Sequence, residues 1–220
     1  MHRRLIAAFL VFILFCTASC GTAPSPTTAD VDETPLLIGT WETDLDVISA
    51  IRDQLAARSE GFDVDTQFTL KSFSFHLTLS FDEDGTYRLS LDRERLQNDL
   101  NELADSDELL ETLTAYLRYY FKLPEEITLD GALSFIGMSF DALKERVLAE
   151  IFSDQWLDRW EQEGRFEARG GKLYRSDSPG AVPALADPVE YSVDGDELIL
   201  RASSETETSA LFPIVFRRAA

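Results

Sequence analysis

Few residues in this chain could do chemistry. Its 220 residues include only two histidines, His2 and His76, and two cysteines, Cys16 and Cys20. His76 stands in a run where Phe73, Phe75, Leu77, Leu79 and Phe81 alternate with Ser74, His76, Thr78 and Ser80. A Ser-His-Asp relay needs a histidine between a nucleophile and an orienting carboxylate, and a zinc site needs three or four nitrogen or sulfur ligands. His76 lies on the polar side of its run with no second histidine beyond the N-terminus, so it reads as a solvated strand residue. Carboxylates, at 40, are too common for their spacing to signal the acid and base pair of glycoside hydrolysis. Asp82-Glu83-Asp84-Gly85 and Asp194-Gly195-Asp196 offer clustered oxygens to calcium. Neither has the loop length or closing Glu of an EF-hand, and both carry the Asp-Gly chemistry of hairpin turns. The chain contains no Gly-x-Gly-x-x-Gly and no phosphate loop. The expectation is a protein that is not an enzyme and holds neither metal nor cofactor.

Charge and aromatic content narrow the partners. Asp and Glu outnumber Lys and Arg by 40 to 20, a formal net charge of −20. Nucleic acid is excluded, because its recognition requires bases that displace counterions from phosphates. With 45% apolar residues, 11 Gly and 8 Pro, the chain is neither collagen-like nor disordered. Phe152, Trp156 and Trp160 recur every four residues, and Tyr116, Tyr119 and Tyr120 cluster. Such ridges stack on sugar rings, receive a partner, or fill a core.

Periodicity then supplies the elements that would position these groups. Strand patterns cover 36–43, 73–81, 87–91, 164–169, 172–176, 188–193, 197–202 and 211–217, with hairpin turns at Asp84-Gly85, Gly170-Gly171 and Asp194-Gly195-Asp196. Residues 44–60 switch to helical spacing, with Leu45, Ile48, Ile51 and Leu55 on one stripe and Gly61 as a stop. Between the third and fourth strands, 92–163 shows helices only. Leu96, Leu100 and Leu103 mark the first. Ser106 caps a second that runs through Leu109, Leu113, Leu117 and Phe121 to Pro124, and Ser139 caps a third carrying Phe140, Leu143, Val147, Ile151 and the Phe152, Trp156, Trp160 ridge. Amphipathic helices must cover each other, the strands, or an external molecule.

The N-terminus reads as an export signal over 1–19: His2, Arg3 and Arg4 precede an apolar run from Leu5 to Phe15 that is too short for an ordinary membrane span. Thr17-Ala18-Ser19-Cys20-Gly21 resembles the lipobox of bacterial lipoproteins. The resemblance implies that Cys20 is acylated and becomes the new N-terminus, anchoring an extracytoplasmic domain to the bacterial membrane. With Cys16 removed and Cys20 acylated, no thiol is left for a disulfide or a nucleophile. Residues 20–35, with Pro24, Pro26 and Pro35, read as a tether. The acidic body should stand off an anionic bilayer surface.

Gly39-Thr40-Trp41 in a first strand, antiparallel hairpins with Asp-Gly turns, and a last strand ending Val215-Phe216-Arg217 resemble the lipocalin-like domains of bacterial lipoproteins. The resemblance implies a β-rich α+β fold over 36–220, an up-and-down antiparallel barrel of about eight strands with a large helical insertion at 92–163. It also implies a barrel floor in which Gly39 and Trp41 meet Arg217, the guanidinium lying over the indole, with Arg218 as a possible substitute. A ligand cavity would be lined by Trp41, Phe73, Phe75, Leu77, Leu79, Tyr87 and Leu89. Two functions are then expected. One is a membrane-anchored lipoprotein binding a small apolar ligand. The other is a structural or protein-interaction lipoprotein of the cell envelope with a filled barrel, its partner surface at Phe152, Trp156 and Trp160. An eight-stranded barrel is about the size that either fills with its own side chains or holds one small ligand.

Overall fold

A computed structural model describes residues 32–219 apart from 59–60, 159, 177, 179, 184–187 and 203–210, and apart from the side chains of Gln54, Arg58, Gln155 and Trp156. The expected signal segment, Cys20 and the expected tether as far as residue 31 lie outside the described residues.

Eight strands follow in chain order: β1 Gly39–Asp46, β2 Ser74–Phe81, β3 Thr86–Leu91, β4 Gln162–Arg169, β5 Lys172–Arg175, β6 Val189–Asp194, β7 Glu197–Arg201 and β8 Ile214–Arg218. Each neighbours the next, and β8 returns to β1, so the sheet closes into an up-and-down antiparallel barrel. Closure removes the exposed edges that an open meander would present. The alternation seen in the sequence has a physical outcome on β2, where Phe75, Leu77, Leu79 and Phe81 are buried and Ser74, His76, Thr78 and Ser80 are half-buried. Gly170 and Gly171 both take positive φ, 58° and 68°, between the paired residues Arg169 and Lys172. A two-residue hairpin needs both positions left-handed, and glycine adopts that conformation without a Cβ penalty.

Helices α1 Thr34–Leu37, α2 Ile48–Arg58 and α3 Val64–Gln67 accompany β1, and α4 Arg93–Ala104, α5 Asp107–Phe121, α6 Leu129–Phe135, α7 Phe140–Ile151 and α8 Asp154–Leu157 lie between β3 and β4. Residues 36–38, expected to open the first strand, instead end α1, where Pro35 fits the first turn because its missing N–H is not needed there. Strand β1 accordingly runs on to Asp46, and α2 starts later than its stripe suggested. The Asp46 carboxylate accepts from the Ile48 amide at 2.9 Å, the kind of bond that starts a helix.

The described residues fall into two compact units. One, of 32–45, 75–92 and 158–219, is the barrel; the other, of 46–74 and 93–157, is helical. The helical unit has its own core: Ile48, Leu55, Phe62, Phe68 and Leu70 from the first stretch meet Leu113, Tyr116, Leu117, Leu133 and Leu143 from the second. Helices α2, α3, α5, α6 and α7 therefore share one core. Thr112 is buried, and its hydroxyl accepts from the Thr69 amide at 3.0 Å, while the Thr69 hydroxyl donates to the Glu108 carbonyl at 2.8 Å, tying the two stretches together. Ser106 and Ser139 cap α5 and α7 as their positions predict, accepting from the amides of Leu109 and Ala142. Helix α6 has no counterpart in the sequence reading, although Thr128 caps it in the same manner.

Candidate functional site

The expected barrel floor centres on Trp41, which is fully buried. Its indole N–H donates to the Leu37 carbonyl at 2.8 Å, so α1 lies against the ring. The register pairs Trp41 with Arg218 and Glu42 with Arg217. The guanidinium carbon of Arg218 stands 4.1 Å from the Trp41 ring centroid, and its Nη1 donates to the Ile38 carbonyl at 2.9 Å. Arg217, the residue expected in this role, faces away: its side chain is 77% exposed and lies 3.7 Å from Glu197. Strand alternation explains the difference, because Arg218 lies directly opposite Trp41 and shares its face, whereas Arg217, one residue away, points to the other. Gly39 has φ of 127°, and a Cβ there would sit 2.7 Å from Arg218 Nη1, so the glycine makes room for the arginine. Arg218→Ala is expected to destabilise the barrel by about 1–2 kcal/mol through loss of the cation-π contact and its carbonyl bond. Arg217→Ala should stay within about 0.5 kcal/mol of the parent in urea unfolding.

Most side chains expected to line a cavity are buried. Trp41, Phe75, Leu77, Leu79 and Tyr87, together with Phe81, Phe166, Leu198 and Phe216, are none of them more than 4% exposed. The Phe81 ring meets Phe166 edge-on at 4.6 Å and Tyr87 at 6.4 Å. The Tyr87 hydroxyl donates to the Ser176 carbonyl at 3.1 Å. Leu89 is half-buried. Phe73 is not part of the barrel interior: it precedes β2 and packs against the core of the helical unit.

The three aromatic residues expected on one helix do not share one. Helix α7 ends at Ile151 with Phe152 as its C-cap, half-buried. Trp156 falls in α8, its side chain outside the described residues, and Trp160 belongs to the barrel unit, where its ring meets Phe75 edge-on at 5.5 Å. The four-residue spacing runs across a helix end, where helical periodicity no longer applies.

A clamp that the sequence did not reveal joins the N-terminal segment to the barrel. Asp32 bridges to Arg169, the Glu33 amide donates to the Ala168 carbonyl at 2.8 Å, and the Thr34 hydroxyl accepts from the Ala168 amide at 3.3 Å. The Glu33 carboxylate accepts from the Gly171 amide and the Tyr191 hydroxyl, each at 2.8 Å. Residues 32–34, read as the end of the tether, are therefore held against the barrel. Burial, and then the bond to Glu33, push the Tyr191 phenol well above its ordinary 10.0. The folded state thus keeps this proton more tightly than the unfolded chain does. Its stabilisation is complete below pH 10 and is lost as pH climbs toward the folded value. Tyr191→Phe should cost about 1–2 kcal/mol near pH 7. Urea midpoints of parent and variant should converge above pH 10, whereas parallel curves would show that the phenol makes no such bond.

The remaining polar candidates serve the fold. His76 Nδ1 lies 3.1 Å from Asp44 Oδ1. Asp84 Oδ1 accepts from the Thr86 hydroxyl at 2.6 Å and amide at 3.0 Å, bonds that hold its carboxyl below the usual range and shape the turn. Among the described residues no cluster of three or more His, Cys, Asp or Glu side chains could hold a metal ion, and no helix is long and apolar enough to cross a membrane. Compared with known proteins, the chain matches no family model, no curated protein and no solved structure.

Proposed function

We propose that this chain is a lipoprotein of the bacterial cell envelope, exported and anchored through acyl chains on Cys20, whose lipocalin-like barrel is a filled scaffold and whose helical unit is the surface that meets a protein partner. The observation that supports this reading is the burial of the barrel's large side chains, of which Trp41, Phe75, Phe81, Tyr87, Phe166 and Phe216 are each no more than 3% exposed. Carriers of small apolar molecules keep a pocket of roughly 300–1,000 Å³ and bury most of the ligand in it. Here Phe81, Tyr87 and Phe166 occupy the interior themselves. The net charge of −20 keeps such a body soluble at the membrane surface and favours basic partners.

Native mass spectrometry of the protein purified from the envelope tests this. The expected mass is the chain from Cys20 plus its acyl groups and nothing more. A reproducible further adduct of about a few hundred daltons, lost on denaturation, would overturn the filled barrel in favour of a ligand carrier. Cys20→Ser should abolish palmitate incorporation and release the chain from the membrane fraction. Continued labelling of that variant would remove the anchor from the proposal.

A further inference from the structure

The helical unit carries a string of aromatic rings that begins in its core and ends in solvent. Phe62, 5% exposed, meets Tyr116 at 5.6 Å; Tyr116 stacks on Tyr120 at 6.0 Å; Tyr120 meets Phe121 at 5.0 Å; and Phe121 meets Phe135 at 5.8 Å. At the outer end Tyr120 is 43% exposed and Phe135 is 66% exposed. Core packing at the inner end restrains the outer rings, so little rotamer freedom remains to be lost on binding. Acids border them in the chain. Between Tyr119 and Phe135 stand Glu125, Glu126 and Asp130, all exposed, against one base, Lys122. The Arg118 guanidinium donates to the Ile127 carbonyl, which ties the link that carries Glu125 and Glu126 to α5.

We propose that Tyr120, Phe121 and Phe135 form the docking site for a cationic amphipathic segment of a partner protein. The inference rests on the reading of the helical unit as the working surface. Complementarity carries it: aromatic faces attract ammonium and guanidinium groups and accept the aliphatic stems of Lys and Arg, while Glu125, Glu126 and Asp130 pair with their charged ends. The same acids would repel an anionic bilayer, and a second copy of a chain with net charge −20 brings the wrong sign.

The test uses the exported chain carrying Cys20→Ser and two synthetic amphipathic helical peptides, one of Leu and Lys, the other of Leu and Glu. Titration calorimetry is expected to show binding of the Leu/Lys peptide alone. Tyr120→Ser with Phe135→Ser should weaken it at least tenfold, and Glu125→Gln with Glu126→Gln several-fold, with a flatter salt dependence. Asp82→Asn with Asp84→Asn, on the barrel hairpin, should leave the affinity unchanged and so separate the site from general acidity. Circular dichroism checks that each variant is folded, which the exposure of Tyr120 and Phe135 favours.

Equal affinity of parent and ring variant would overturn the inference, as would equal binding of the Leu/Glu peptide. So would sedimentation showing a dimer, or binding to vesicles of phosphatidylglycerol and phosphatidylethanolamine, that Phe135→Ser abolishes. Leu/Lys binding that is lost only on substitution elsewhere in the helical unit would overturn this site and leave the proposed function standing. A ligand adduct in native mass spectrometry would overturn the function itself.

Discussion

Gly164→Ala is expected to destabilise the barrel by about 3 kcal/mol or more, a shift of roughly 6–12 °C in Tm for a chain of this size. A Cβ at this position would lie 2.0 Å from the Ser176 carbonyl oxygen, 2.9 Å from its carbonyl carbon and 3.0 Å from Tyr87 Cε1. Two of the three atoms are backbone, so no rotamer change relieves the clash. The backbone is also fixed on both sides, since the Ser176 amide donates to the Arg165 carbonyl at 2.9 Å and the Arg165 amide donates to the Ser176 hydroxyl at 2.8 Å. Gly164 pairs with Tyr87 across β3 and β4, and the tyrosine ring passes over the bare glycine to bring its hydroxyl to the Ser176 carbonyl. An alanine would push apart β4, the Tyr87 ring and the segment after β5 together. Gly180 is the control, because nothing lies within 4 Å of a Cβ built there. Gly180→Ala should change stability by less than about 0.5 kcal/mol in thermal and urea unfolding followed by near-UV circular dichroism. Equal, small effects at both glycines would mean that the Gly164 contact is far looser than its geometry.

The contrast between these glycines shows what a sequence can and cannot convey. All eight strands were legible because each buries one face and the period of two is local: Phe75, Leu77, Leu79 and Phe81 announce β2 without reference to anything else. Hairpin turns were legible for the same reason, and so were Ser106 and Ser139, whose caps act within three residues. Gly164 carries no such signal, since its role depends on Ser176 and Tyr87 coming near. The clamp is still less local, because Glu33 and Tyr191 are 158 residues apart and neither is unusual in its neighbourhood. The helical spacing at 44–60 and at 92–163 was visible, but not that the two stretches share one core, since an apolar stripe states that it is covered and not by what. The floor fell between these cases. Gly39 and Trp41 stood out, whereas the choice between Arg217 and Arg218 depends on a one-residue register that only strand pairing fixes. The aromatic spacing at Phe152, Trp156 and Trp160 suggested one helix because periodicity assumes a continuous one, whereas α7 stops at Ile151.

Trp41→Ala should be the most damaging substitution on the floor, at about 3–5 kcal/mol, because three separate contributions fail together. The ring is fully buried, so its removal opens a cavity that the closed strands cannot collapse to fill. Loss of the indole N–H leaves the Leu37 carbonyl without its 2.8 Å donor and removes one of the bonds that tie α1 to the barrel. Arg218 then has no ring beneath it at 4.1 Å, and only its bond to the Ile38 carbonyl and its 3.8 Å approach to Asp196 hold it in place. Trp41→Phe separates these contributions: it restores most of the volume and part of the cation-π attraction but not the N–H. It should therefore cost about 1–3 kcal/mol, mainly for the unsatisfied carbonyl. A double-mutant cycle with Arg218→Ala isolates the stacking, and the coupling expected is about 0.5–1.5 kcal/mol. Such a coupling for Arg218 and none for Arg217 would establish which guanidinium closes the barrel; the reverse result would mean that β8 pairs with β1 one residue out of the register in which Trp41 faces Arg218.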